Sequence, residues 1–182
     1  MGNFIEIKIE KRDSDRKQNT FILMWNPSIS SYTMERFEND LRDMADGFSP
    51  DDFNWSVWDH EQARDGDRFF MVKVGPGTNG IMMSGTFFSD PYQGEDWSGK
   101  GRTVFYMDME IDEMIHPDRC PILTSERLAE EIPDFEWKGG HSGRLLTEEQ
   151  ADKVAILWNQ FLKENSLEEI DWQIKPKQQK LI

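Results

Sequence analysis

The chain has one cysteine in 182 residues, no surplus of positive charge and no long apolar run. Each shortage excludes something. Cys120 alone allows no internal disulfide, so a packed core must hold the fold, and a reducing compartment fits best. With 21 Lys+Arg against 35 Asp+Glu, the net charge is −14 at pH 7. A surface of that sign repels polyanions and argues against general, sequence-independent nucleic-acid binding. No stretch approaches the ~20 apolar residues of a membrane span. Met1 to Glu6 lacks the apolar region of a signal peptide. The expectation is a cytoplasmic protein with no membrane partner.

Patterns of catalysis are equally scarce. His60, His116 and His141 are far apart, and none sits in a metal spacing such as HxxH or HExxH. There is no G-x-S-x-G, P-loop or G-x-G-x-x-G, and Gly75 with Gly77 marks a turn. Cys120, between Arg119 and Pro121, has no evident base. Asp108, Glu110 and Asp112 share one strand face, for which alternating solvated charge is the commoner explanation. No enzyme, no cofactor and no metal are expected.

What the chain does have is tryptophan, seven in all. Trp25, Trp55, Trp58, Trp97 and Trp137 lie on short polar segments and not in long apolar runs. An indole offers a flat apolar face and one N–H donor, which suits either a core or a pocket for a planar ligand.

Hydrophobic periodicity orders the rest. Phe4 to Lys11 alternates as a half-exposed strand, and Thr20 to Trp25 is a short apolar run that reads as a strand buried on both faces. Met34, Phe37, Leu41 and Met44 predict a helix over 34–45 capped by Thr33. Phe53 to Trp58 is extended. Arg68 to Val74 and Ile81 to Phe88 form a hairpin across the Gly75–Gly80 turn. Ser89 to Gly101 is a polar loop, and Arg102 to Met114 a long strand with Phe105, Met107, Met109 and Ile111 on its core face. A short helix near 125–131 stops before Pro133. Thr147-Glu148-Glu149-Gln150 is a capping box opening the last helix, which is expected to run to about Asn165. One domain over 1–165 and a C-terminal tail over 166–182 follow. Without regular βαβ alternation, the class is α+β, with a curved or barrel-like, mostly antiparallel sheet.

The order of several short motifs is informative together. Trp25-Asn26-Pro27 ends a buried strand, a helix follows, and Trp55 comes next. Gly66-Asp67-Arg68-Phe69-Phe70 then opens a strand, and Gly80-Ile81-Met82-Met83-Ser84-Gly85-Thr86 makes another. Pro121-Ile122-Leu123 follows the long strand, and Gly140-His141-Ser142-Gly143-Arg144-Leu145-Leu146 precedes the terminal helix. Over Thr20 to Leu162 this series resembles the EVE domain of the PUA-like superfamily, which also holds the YTH domain. The resemblance implies a PUA-like pseudo-barrel of mixed strands flanked by helices. It also implies an aromatic pocket for an unstacked, often modified, nucleobase. A base taken out of its stack needs flanking rings and one or two polar groups at its edge.

On that reading the ligand-binding set is Trp25, Asn26, Pro27, Trp55, Trp97 and Ser142. Each has a plainer alternative. Trp25 suits a core position as well as a pocket wall, and Asn26 can cap the turn after it. Trp55 and Trp58, three apart in an extended segment, should face opposite sides, with Trp55 favoured for the pocket. Trp97, on a glycine-rich loop, is a lid candidate. Trp137 covers one barrel end and Trp158 belongs to the core. Arg68, Lys73, Lys100, Arg102 and Arg144 are candidate phosphate contacts if their loops share a rim; scattered solvated charge is the alternative. The expected partner is nucleic acid with a modified or unstacked base. A partner protein, or a small ring-shaped molecule bound by the same fold without nucleic acid, remains the alternative.

Overall fold

A computed structural model describes residues 16–50 and 52–174. The strand expected over Phe4 to Lys11 and the basic end of the tail lie outside the described residues. The order is β1 (Thr20–Trp25), α1 (Met34–Ala45), β2 (Asn54–Ser56), a 3-10 turn (His60–Gln62), β3 (Arg68–Lys73), β4 (Gly80–Phe87), β5 (Tyr92–Gly94) and β6 (Val104–Met114). Then come β7 (Leu123–Thr124), α2 (Ser125–Glu131), β8 (Arg144–Leu145) and α3 (Glu148–Ile174).

The strands form one curled sheet ordered β2-β6-β4-β3-β1-β8, with β5 on β6 and β7 on β4. Among the described residues, only β1 and β3 run parallel. Their connection therefore has to cross the sheet, and it carries α1 and β2 on the way. The class is α+β.

Burial follows from the apolar runs. Along β1, Phe21, Leu23 and Trp25 pack inside the curl with Phe37 and Leu41 of α1. Ile22 and Met24 point the other way, into a second core under α2 and α3 with Leu128, Trp137, Val154 and Trp158. Strand β3 splits likewise, Phe69 and Met71 against Phe70 and Val72. A strand covered on both faces needs no polar alternation, which is why TFILMW and RFFMVK read as continuous.

Helix ends follow their sequence signals. The Thr33 and Thr124 hydroxyls accept from Arg36 N–H and Arg127 N–H. At α3 the capping box closes both ways: Gln150 N–H donates to Thr147 Oγ1 at 3.2 Å, and Thr147 N–H to Gln150 Oε1 at 2.9 Å. Two expectations need correcting. The polar loop 89–101 contains β5, whose Tyr92 also donates its hydroxyl to Asp108 at 2.7 Å. Helix α3 runs on past Asn165 to Ile174. No Gly or Pro interrupts the sequence before Pro176, and the residue preceding a proline is pushed out of the helical region.

Two packing details carry predictions. Gly85, where the β4–β6 register shifts, has no room for a side chain: a Cβ would lie 2.0 Å from the Glu110 carbonyl oxygen and 2.7 Å from Phe69. Gly85→Ala should cost about 1–3 kcal/mol, read from urea unfolding.

The second detail joins α1 to the segment after β6. His116, buried, accepts from Asp118 N–H at Nδ1, so its proton sits on Nε2 and is donated to Glu38 Oε1 at 2.9 Å. Arg119 donates to the same oxygen at 3.0 Å. Burial lowers the His116 pKa from its ordinary 6.5, outweighing Glu38. The unfolded chain therefore takes the proton first, so this stability is full above pH 6.5 and is lost as pH falls below it. Urea unfolding at stepped pH should show a steeper loss below 6.5 for the native chain than for His116→Gln.

Candidate functional site

Between the β1 end, β2 and the start of β6 lies an open cavity of ≈ 850 Å³, within the range of small-ligand sites. Its aromatic lining is Tyr32, Phe53, Trp55, Trp58, Trp97, Phe105 and Tyr106, together with His60 and His141. Tyr32 and Phe53 are buried, while Trp58 and Trp97 are 56% and 52% exposed and stand at the mouth. Tyr32 packs at 86° against Trp55 with centroids 5.9 Å apart, an edge-to-face contact that fixes the inner ring.

The rings at the mouth are paired. Trp58 lies parallel to His141, 3.6 Å between centroids and 3° between planes. His60 lies on Phe105 at 3.9 Å and 10°. Trp97 sits on a loop tied at both ends. Its N–H donates to the Tyr106 hydroxyl, which donates to the Glu95 carbonyl at 2.6 Å. Asp96 accepts from Ser98 and Arg102 on the loop's other side. The Arg102 guanidinium, then the Ser98 hydroxyl, holds that carboxyl well below the usual range.

One residue joins the cavity to the sheet. Ser142 Oγ accepts from Met24 N–H at 2.9 Å and from Trp55 Nε1–H at 3.0 Å, so it anchors the inner indole to β1. The surrounding backbone is zipped: Trp58 N–H to Ser142 O, Asp59 N–H to Gly143 O, and Gly143 N–H to Ile22 O. Asp59 Oδ2 accepts from Leu145 N–H at 2.7 Å. This approach requires glycine at 143, where φ is +84° and a Cβ would lie 2.4 Å from Val57 Cα.

The structure brings together part of the set expected from sequence. Asn26, Trp55, Trp97 and Ser142 line the cavity; Pro27 does not. Trp25 is corrected to a core residue: it has no exposed surface, and its indole N–H is spent on the Tyr32 carbonyl at 2.6 Å. Of the cations, only Arg102 lines the cavity, and it is ion-paired to Asp96 at 3.1 Å. Lys73 is buried, its Nζ donating to Pro76 O and Asn79 Oδ1 across the Gly75–Gly80 turn, which it staples. Arg144 donates to the carbonyls of Glu136, Gly139 and His141 and lies over the Phe135 ring. Arg68 stacks on Phe70 at 4.5 Å, away from the cavity, and Lys100 is exposed on the Trp97 loop.

Trp58, His141, His60 and Arg36 also line the cavity and were not in that set. Strict alternation puts Trp58 opposite Trp55, and the motif order favours Trp55 for the pocket. In fact β2 stops at Ser56, and the turn that follows brings both indoles to one side. Nothing local in the sequence marks Arg36. Among the described residues, two arginines and one carboxylate, Asp52, line the cavity, so the chain's acidity does not extend to it. No group of three His, Cys, Asp or Glu among the described residues could hold a metal, and no helix there is long and apolar enough to cross a membrane.

No family model matches the chain, and no curated protein matches it in sequence. Solved structures do. The likeness is to YTH domains. The crystal structure of the MmI1 YTH domain is 10% identical over 81% of this chain and 99% of that one, with a TM-score of 0.45. The Mmi1 YTH domain complex with RNA is 12% identical over 82% of each chain, with a TM-score of 0.49.

Removing the Ser142 hydroxyl strands two donors, one on the backbone and one on the inner indole. Ser142→Ala should therefore cost about 1–3 kcal/mol in urea unfolding.

Proposed function

We propose that this chain is an EVE-type member of the PUA-like superfamily. Its role is a non-enzymatic binding module that takes up a modified, unstacked nucleobase of a nucleic acid. The observation that carries the reading is the cavity itself, open to solvent, with Trp55 inside and Trp58 and Trp97 at its mouth. A flat ring entering there meets indole faces, and a methyl group on that ring adds apolar area to bury against them. The motif order from Thr20 to Leu162 supports the EVE assignment, and the cavity lies where Trp55, Asn26 and Ser142 of that order meet. The local charge agrees: Arg36 and Arg102 outnumber Asp52 on the lining, so the net −14 is borne elsewhere.

Two exposed indoles at a cavity mouth have little to do for stability, so they separate binding from folding. Trp58→Ala and Trp97→Ala should each shift the unfolding free energy by under about 1 kcal/mol while weakening binding of a methylated single strand by about tenfold or more. Tryptophan fluorescence titrated with methylated and unmethylated oligonucleotides, and with free nucleosides, tests the reading. Quenching by nucleosides alone would make the cavity a small-molecule site. No quenching by any of them would leave the fold as a protein-interaction domain.

A further inference from the structure

Trp58 is exposed and yet fixed. It is 56% exposed, and three contacts hold it. Its indole lies flat on His141, with centroids 3.6 Å apart and planes 3° from parallel. Its N–H donates to Ser142 O at 3.0 Å. Its carbonyl, which can only accept, takes the Nδ1 proton of His60 at 3.2 Å. His60 is itself stacked on Phe105 at 3.9 Å. The Trp58 ring is thus set before any ligand arrives, and stacking on it costs no further ordering of this side chain. A stacked pair has two outer faces, and His141 is exposed as well, so the pair presents flat ring surface to solvent.

The inner and outer indoles are anchored to consecutive residues. Ser142 accepts from the Trp55 indole at Oγ and from Trp58 N–H at its carbonyl, while His141 covers the Trp58 ring. Trp55 and Trp58 are three residues apart, so their Cα atoms lie within about 11 Å of each other. All four residues line the one cavity. At ≈ 850 Å³ it is in the upper part of the about 300–1,000 Å³ that takes drug-sized molecules of several rings. One base has one or two fused rings and leaves room for more. Among the described residues, Arg36 and Arg102 against Asp52 give the lining the charge a phosphate-linked ligand needs.

We infer that the Trp58–His141 pair is a second stacking site, which takes the base adjacent to the one held in the cavity. The inference rests on the base-binding reading above. It narrows the ligand to a single strand with a base on at least one side of the modified one. Every base has a π-face, so this site adds affinity without sequence preference. A free nucleoside has no neighbour, and a duplex keeps the neighbouring base in its own stack; both forgo the contact.

The test compares two short dye-labelled single strands on the full chain by fluorescence anisotropy, each made with a central 5-methylcytosine and again with a central N6-methyladenine. In one the other positions carry adenine, and in the other they are abasic. Both strands have the same phosphates, so backbone contacts are equal in the two. The adenine-flanked strand should bind about tenfold more tightly. Trp58→Ala should abolish that difference and leave the affinity of the abasic strand as it was. Trp58→Phe, which keeps a ring, should retain most of the difference. Equal affinity of the two strands for the native chain overturns the second site and leaves the cavity reading standing. A difference that survives Trp58→Ala does the same. Binding of neither strand removes the cavity reading as well.

Discussion

Everything at the cavity depends on how closely residues 142–145 approach two other stretches of chain at once. On one side they bond to β1 through Gly143 N–H and Ile22 O, and through Ser142 Oγ and Met24 N–H. On the other they bond to Trp58, Asp59 and the Trp55 indole. A backbone with a Cβ at position 143 could not come so near. The inner ring and the mouth ring are thus positioned by the same few hydrogen bonds, and their separation is fixed by the sheet and not by side-chain rotamers.

The rigidity of that frame comes from strands covered on both faces. With β1 and β3 packed above and below, a shift at the edge of the sheet would disturb two cores. The cavity sits where this double cover ends, beside the short β2 and the polar loop that follows β5. Of the exposed aromatic rings, Trp58 and Trp97 share this one opening, while Phe48, Phe88 and Tyr92 lie elsewhere. The net charge of −14 lies on the remaining surface. The molecule separates the two tasks by position.

The long elements were legible in the sequence because each carried its own period or cap. Helix α1 began and ended where Thr33 and the Met34–Met44 spacing placed it, and the apolar runs of β1, β3 and β4 held their places. The site was legible by its residue types more than by their locations. Asn26, Trp55, Trp97 and Ser142 came together, but Trp25 turned inward because the same alternation that puts Met24 toward the cavity puts Trp25 on the opposite face. A lysine or arginine in sequence shows its charge, not the carbonyls its donors will reach, as Lys73 reaches that of Pro76 and Arg144 that of Gly139.

The sheet order has a consequence for how the chain is made. Strand β1 needs β3, paired from Thr20↔Arg68, and then β8, paired at Phe21↔Leu145, which lies 145 − 21 = 124 residues downstream. At roughly 5–20 residues per second of translation, the nascent β1 waits about 6–25 s for that last neighbour. During that interval its apolar side chains have no complete cover. Holding factors at the ribosome exit would meet TFILMW uncovered, and the cavity, built on the β1–β8 seam, would be among the last features to form.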